Sequence, residues 1–169
     1  MFNRDPKGSA AVLSMRTLAI DLGTRRVGLA LSDESARLAT PLQVLQVSNP
    51  QQAIEPTLKM IIRESVERII VGLPLNMDGT VGPAARESLR WGKILQERCG
   101  KPVLFVDERL SSFAAEQTLI DRKRSGEKIT RKQRKGRLDA LAAADFLQAF
   151  LDGRLPALHD TDLLPNIPD

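Results

Sequence analysis

Leu18-Ala-Ile-Asp-Leu-Gly-Thr-Arg-Arg-Val-Gly-Leu-Ala-Leu-Ser32 contains two apolar runs separated by a short polar break. The second run alternates valine and leucine with small residues, which is the pattern of a strand with one buried face. The Gly-Thr pair between the runs supplies a turn. The stretch therefore predicts a β-hairpin, with an acid, Asp21, near the end of its first strand.

Downstream of the hairpin, strand and helix patterns alternate along the chain. Three further strands are predicted at 41–47, 68–73 and 103–108. Helices are predicted after Pro50, at about 80–98, at 111–120 and at 137–152. This order is typical of one α/β domain, in which helices cover the faces of a sheet.

Length and composition agree with a single globular domain. The chain has 169 residues, 42% of them apolar and 27% charged, and no apolar run is long enough to span a membrane. We expect a flexible N-terminal extension at 1–15, with Met15 as a candidate start, a domain at 16–152 and a flexible tail at 153–169. With one cysteine and no secretory leader, the sequence predicts a cytoplasmic protein without a membrane partner.

Residue types that are scarce exclude several kinds of chemistry. The chain has one histidine, His159, no tyrosine and one cysteine, Cys99. A histidine general base or a zinc cluster therefore has almost no raw material. No Gly-x-x-x-x-Gly-Lys-Ser/Thr motif occurs, which excludes a P-loop nucleotide enzyme. Carboxylates, lysines or bound metals must carry the chemistry.

Positive charge is concentrated in one segment. Residues 122–137 contain nine Lys or Arg and one acid, whereas the rest of the chain has 16 basic and 20 acidic residues. With one large apolar residue, the segment predicts a mobile loop at 122–136. A solvated loop would gain nothing from such one-sided charge, so we favour contact with nucleic-acid phosphates. The predicted nucleic-acid-binding residues are Arg109, Lys128, Arg131, Lys132, Arg134, Lys135 and Arg137.

Three acids occupy positions where an ordinary acid is unexpected. Asp21 and Glu108 end apolar strands, and ligand sites of α/β sheets lie at the carboxyl ends of strands. Asp139 lies in the middle of the apolar stripe of the last predicted helix, where a lone carboxylate would be costly. Converging carboxylates without His or Cys suit Mg²⁺ or Mn²⁺, which activate water for phosphodiester hydrolysis.

The motifs resemble those of the YqgF family of Holliday junction resolvases, also called pre-16S rRNA nucleases. The resemblance rests on Leu18–Ala30, Ile70–Thr80, Val106–Ser112 and on Asp139 with the following alanines, and it covers roughly residues 16–152. It implies a ribonuclease-H-like fold with a mixed five-stranded sheet flanked by helices. It also implies divalent-metal-dependent cleavage of structured nucleic acid, with trimming of the 5′ end of 16S rRNA precursor as the role. Carried over residue by residue, the family's acids fall on Asp21, Glu108 and Asp139.

Several alternatives stay open on the sequence. The turn after Asp21 also resembles the phosphate-binding hairpin of actin-like and sugar-kinase ATPases, although one unrepeated domain is too short for that architecture. A Holliday junction resolvase acting on DNA and a non-catalytic ribosome-assembly factor are the other readings. The predicted partner is nucleic acid: either an rRNA precursor within a pre-ribosomal particle or branched DNA. The oligomeric state is not predicted.

Overall fold

A computed structural model describes residues 15–110, 120, 131–159 and 163. Its strands are β1 (Thr17–Leu22), β2 (Arg26–Ser32), β3 (Ala39–Gln46), β4 (Arg68–Leu73) and β5 (Val103–Asp107). Its helices are α1 (Ile54–Arg63), α2 (Pro83–Cys99) and α3 (Arg131–Leu151). The predicted hairpin, the three further strands and the last helix are therefore present. The predicted helix at 111–120 lies, apart from residue 120, outside the described residues.

The five strands form one mixed sheet in the order β3-β2-β1-β4-β5. β1 is parallel to β4, β4 is parallel to β5, and β2 is antiparallel to both β1 and β3. The central strand β1 thus has its carboxyl end beside those of β4 and β5. The expected mixed five-stranded sheet is confirmed.

Alternation along the strands divides the core into two layers. Leu18 and Ile20 of β1 face the layer that contains Trp91 of helix α2. Ala19 faces the other layer, which contains Phe146 and other residues of helix α3. Since successive strand residues point to opposite faces, Asp21 lies on the α3 side of the sheet.

Helix α3 begins six residues earlier than predicted. It starts at Arg131, so the prediction of a mobile loop at 122–136 is wrong for 131–136, while 121–130 lie outside the described residues. Lys, Arg and Gln are good helix formers, and backbone hydrogen bonds can extend a helix that is already anchored by an apolar face. The shortage of apolar residues there predicts no burial, but it does not prevent a helix.

The described part of the tail, 153–159 and 163, is packed against the domain, whereas the sequence predicts a flexible segment there. The backbone N–H of Leu158 donates to the carbonyl of Phe105 at 2.8 Å. Leu163 is buried in a cluster with Leu73 and Val81. Leu158 and Leu163 pack against apolar side chains next to β5. Burial of this apolar surface holds the segment although its sequence has no helix or strand periodicity. Of the predicted flexible extension at 1–15, residues 1–14 lie outside the described residues. Within the described part of the chain, no helix is both long and apolar enough to cross a bilayer.

Candidate active site

Asp21 lies at the centre of a row of residues that crosses the sheet. In the strand register Asp21 is opposite Gly28 of β2. Ile20 is opposite Val71 of β4, so the next position places Gly72 on the other side of Asp21. Side chains in register share a face, so the Asp21 carboxylate has no side chain beside it on either neighbouring strand.

Each glycine leaves room for another predicted site residue. A Cβ on Gly72 would lie 2.5 Å from Oε2 of Glu108 and 3.2 Å from its Cβ. A Cβ on Gly28 would overlap the backbone carbonyl of Asp139 in helix α3. Sequence reasoning missed both glycines, although a glycine inside a strand is a known sign of close approach. They bring Glu108 and Asp139 toward Asp21 from opposite sides.

Glu108 and its neighbour Asp107 have different environments. Asp107 ends β5 and is paired with Arg109, whose Nε lies 2.9 Å from Oδ1. Glu108 begins a short 3-10 turn and its carboxyl group lies over Gly72. The strand therefore directs only the second of these two acids toward Asp21, as the alternation along β5 predicts.

The carboxyl groups of Asp21 and Glu108 are hydrogen bonded to each other. Burial raises the pKa of Glu108 to about 8, and the negative charges of Asp21, Asp107 and Asp139 add to the effect. Burial also raises the pKa of Asp21 to about 6, with a contribution from Asp139 and an opposing one from the hydrogen bond with Glu108. In this arrangement the protonated Glu108 donates to the Asp21 carboxylate. Such mutual perturbation is typical of functional sites.

Asp139 is close enough to act on both acids electrostatically, but it is bound to an arginine. Nε of Arg26 donates to Oδ2 of Asp139 at 2.6 Å, and about a quarter of each side chain is exposed. Arg26 is the first residue of β2, and no sequence pattern predicts its pairing with Asp139. In the described part of the chain, no three His, Cys, Asp or Glu side chains are arranged to hold a metal ion. Two of the three predicted acids therefore meet, and the third is paired beside them.

Arg109 ties the loop after β4 to the end of β5. It pairs with Asp107, and its Nη1 donates to the backbone carbonyls of Asn76 and Met77, each at 3.2 Å. The loop has its own hydrogen bonds, including one from the N–H of Thr80 to Asp78. Helix α2 therefore begins at Pro83 rather than near Thr80. These hydrogen bonds hold the loop after β4, which is part of the motif Ile70–Thr80, in place next to the end of β5.

The other predicted nucleic-acid contacts are only partly described. Lys128 lies outside the described residues. Within helix α3 the first two turns include Arg131, Lys132, Arg134, Lys135 and Arg137. The backbone therefore places five of the predicted basic positions on the helix that carries Asp139, less than three turns from it.

Comparison with known proteins assigns this arrangement to a family. The sequence model of the RuvX family, described as Holliday junction resolvase, matches residues 15–153. The chain belongs to the RuvX family. RuvX is another name for YqgF, so the resemblance drawn from the motifs is confirmed.

Relatives of the RuvX chain carry the same kind of name. A protein of Acidiphilium cryptum named "Putative pre-16S rRNA nuclease" is 38% identical over 152 residues, covering 90% of this chain and 93% of its own. One of the same name from Syntrophomonas wolfei is 40% identical over 139 residues, covering 82% and 95%. Family and relatives are named for nucleases, and the RuvX chain is a member of this class of phosphodiester-hydrolysing enzymes.

Solved structures share the fold at low sequence identity. Thermus thermophilus RuvC in complex with a Holliday junction substrate has a TM-score of 0.52 and 20% identity, covering 85% of this chain and 99% of its own. The human cytomegalovirus terminase nuclease domain, soaked with Mn, has a TM-score of 0.51 and 12% identity, covering 90% and 92%. These similarities confirm the expected ribonuclease-H-like fold of the RuvX chain.

Proposed function

We propose that this RuvX protein is a divalent-metal-dependent nuclease whose Asp21, Glu108 and Asp139 hold Mg²⁺ or Mn²⁺. The observation that carries the proposal is the contact between the partly buried Asp21 and Glu108 carboxyl groups, with Asp139 beside them. Ionising both of two partly buried acids in contact is costly without a compensating charge. A cation at this point would supply it.

The donor chemistry of the residues fits such an ion. All three side chains offer carboxylate oxygens, which Mg²⁺ and Mn²⁺ prefer, and the site contains no soft ligand among the described residues. When bound, a divalent cation supplies an activated water and stabilises the charge on the leaving oxygen. The chain itself fixes the donors: β1 positions Asp21, the space over Gly72 positions Glu108, and helix α3 positions Asp139.

The proposed substrate is the 16S rRNA precursor, in free form or within a pre-ribosomal particle. Its support is the name shared by relatives that match nearly the whole chain. The basic segment at 122–137 supplies charge to hold a phosphate backbone, and its described part, 131–137, lies on the helix that carries Asp139. A four-way DNA junction is the second candidate, because the matching family model is described as Holliday junction resolvase.

A cleavage assay tests the proposal. End-labelled pre-16S-like RNA, unstructured RNA and four-way DNA junctions are incubated with the parent protein in Mn²⁺, Mg²⁺ or EDTA. Asp21→Asn is expected to abolish cutting and to retain binding. Glu97→Gln, which removes an exposed acid from helix α2 on the other face of the sheet, is the matched control and is expected to cut like the parent.

Four outcomes are possible, and each one decides between the candidate functions or tests the site. Metal-dependent cutting of the RNA that is lost in Asp21→Asn supports the precursor nuclease, whereas preference for the junction supports the resolvase. Equal cutting by parent and Asp21→Asn would refute the carboxylate site. If both proteins bind nucleic acid and neither cuts it in any metal, the protein is a binding factor.

A further inference from the structure

A small cavity lies between the β1–β2 turn and helix α3. It has a volume of about 260 Å³ and is lined by Gly23, Thr24, Arg25, Arg26 and Asp139. The turn is tight, because the N–H of Gly23 donates to the carbonyl of Arg26 at 2.9 Å and a Cβ on Gly23 would lie 2.5 Å from that oxygen. The cavity is thus lined by two arginines, the hydroxyl-bearing Thr24 and one acid of the proposed metal site, Asp139.

The two arginines of the turn have different partners. Arg25 is exposed, and its Nη1 reaches the backbone carbonyl of Ser48 at 3.4 Å, near the end of β3. Arg26 is partly buried and donates from Nε to Asp139 at 2.6 Å. Of the two, only Arg26 contacts an acid of the proposed metal site. Arg25 is therefore a matched control for substitutions of Arg26, because the two arginines are adjacent in the same turn.

Arg26 and a cation held by Asp21 and Glu108 would compete for the Asp139 carboxylate. While Oδ2 of Asp139 accepts from Arg26, that oxygen is shared between the guanidinium and any cation held by Asp21 and Glu108. A nucleic-acid phosphate is a better partner for a guanidinium than a monodentate carboxylate, because it can accept two parallel N–H bonds. A phosphate bound by Arg26 in the cavity would replace Asp139 as its acceptor and would leave the Asp139 carboxylate free.

We propose that the cavity is a subsite for one backbone phosphate of the substrate, and that Arg26 changes its partner from Asp139 to that phosphate. Resting on the proposed function, this makes Arg26 a positioning residue that completes the metal site only when nucleic acid is bound. Metal and nucleic acid then bind with positive coupling, and by linkage each raises the affinity for the other by the same factor.

Manganese titration, followed by the electron paramagnetic resonance signal of free Mn²⁺, tests the inference without relying on turnover. The parent, Arg26→Met and Arg25→Met are titrated at 4 °C, alone and with a pre-16S RNA or a four-way DNA junction, and gel electrophoresis of each sample restricts the data to intact oligonucleotide. Both substitutions remove one positive charge from the same turn, so Arg25→Met controls for the change in net charge. Arg26→Lys, which retains the charge, is the second variant, and circular dichroism confirms that each variant is folded.

Arg26→Met is expected to bind Mn²⁺ about fivefold or more tightly than the parent in the absence of nucleic acid. Its coupling factor between Mn²⁺ and the oligonucleotide is expected to fall by a similar factor. Arg25→Met is expected to weaken oligonucleotide binding and to keep the parent's coupling factor, and Arg26→Lys is expected to lie between the parent and Arg26→Met.

The inference is overturned if Arg26→Met changes Mn²⁺ affinity and coupling no more than Arg25→Met does. In that result the parent still binds Mn²⁺, so the proposed metal-dependent function stands without the exchange of partners. If the parent binds no Mn²⁺ even with the oligonucleotide present, the proposed metal site fails and the inference fails with it.

Discussion

Replacing Gly72 by alanine tests whether the space beside Asp21 is needed to position Glu108. The added Cβ would lie 2.5 Å from Oε2 of Glu108 and 3.0 Å from Cε1 of Phe146. An ordinary contact between carbon and oxygen is about 3.3 Å or more, so the carboxylate must move by about 0.8 Å. A misplacement of about 1 Å can cost about 100-fold in rate, which is the loss expected for metal-dependent cleavage.

The same substitution also affects stability, and a matched variant separates the two effects. Overpacking a well-packed core costs about 1 to 3 kcal/mol, so urea unfolding of Gly72→Ala should show a decrease of this size. In Gly92→Ala the added Cβ would lie 2.7 Å from the ring of Phe105, on the opposite face of the sheet. That variant is expected to change stability, with the helix propensity of alanine offsetting part of the loss, and to cut at the parent's rate.

The two rates decide between explanations. If Gly72→Ala cleaves within about threefold of the parent while it remains folded, displacement of Glu108 is harmless and the reasoning is refuted. If Gly92→Ala loses activity to the same extent as Gly72→Ala, the loss reflects general destabilisation and not the site. Rates are compared at a temperature where circular dichroism shows all three proteins to be folded.

Three further predictions concern charge and packing. The pKa of Glu108 is raised from 4.5 to about 8, so the folded protein binds the extra proton between these values and stability falls as pH rises through this window. In the absence of metal, Glu108→Gln should therefore be more stable than the parent by about 1 to 3 kcal/mol at pH 8, and the two proteins should be equally stable near pH 4.5. Thermal unfolding measures both differences. Equal stability at both pH values would contradict the burial of Glu108. Alanine substitution of four basic residues should make the negative slope of log affinity against log salt shallower by about 3. The four residues are Arg131, Lys132, Arg134 and Lys135. An unchanged slope would show that they do not contact phosphate. Leu163→Ala should cost about 2 kcal/mol in urea unfolding if the tail docks as described, and no change would place Leu163 outside the core.

The elements that the sequence predicted well are those whose side chains decide their position. The alternation in β2 and the apolar run in β1 gave the hairpin, and the apolar stripe of helix α3 placed Asp139 on the face that covers the sheet. The approach of Asp21 and Glu108 could be inferred because the carboxyl ends of parallel strands share one edge of a sheet. The first two inferences depend on local pattern alone, and the third adds a general rule for parallel strands in a sheet.

The parts that were missed depend on contacts between distant segments. The start of helix α3 was misplaced because helix propensity and burial point in different directions at 131–136. The sequence predicts a flexible tail because leucines without periodicity give no local signal, yet Leu163 is buried in one cluster with Leu73. The pairing of Arg26 with Asp139 joins positions 113 residues apart, and many other basic residues were equally available by sequence.

The environment of Asp139 shows why a buried acid is weaker evidence for a metal than it appears. A carboxylate in the apolar stripe of a helix must be compensated, and a cation is one solution. Arg26 supplies another within the chain itself. The cost of burial therefore predicts a positive partner without saying which one. What points to a metal is the contact between the two acids Asp21 and Glu108, whose carboxyl groups are hydrogen bonded to each other and have raised pKa values. A protein that keeps Asp21 and Glu108 in contact, with Gly72 leaving the room for Glu108, loses stability at that point, and such a loss is typical of residues selected for function.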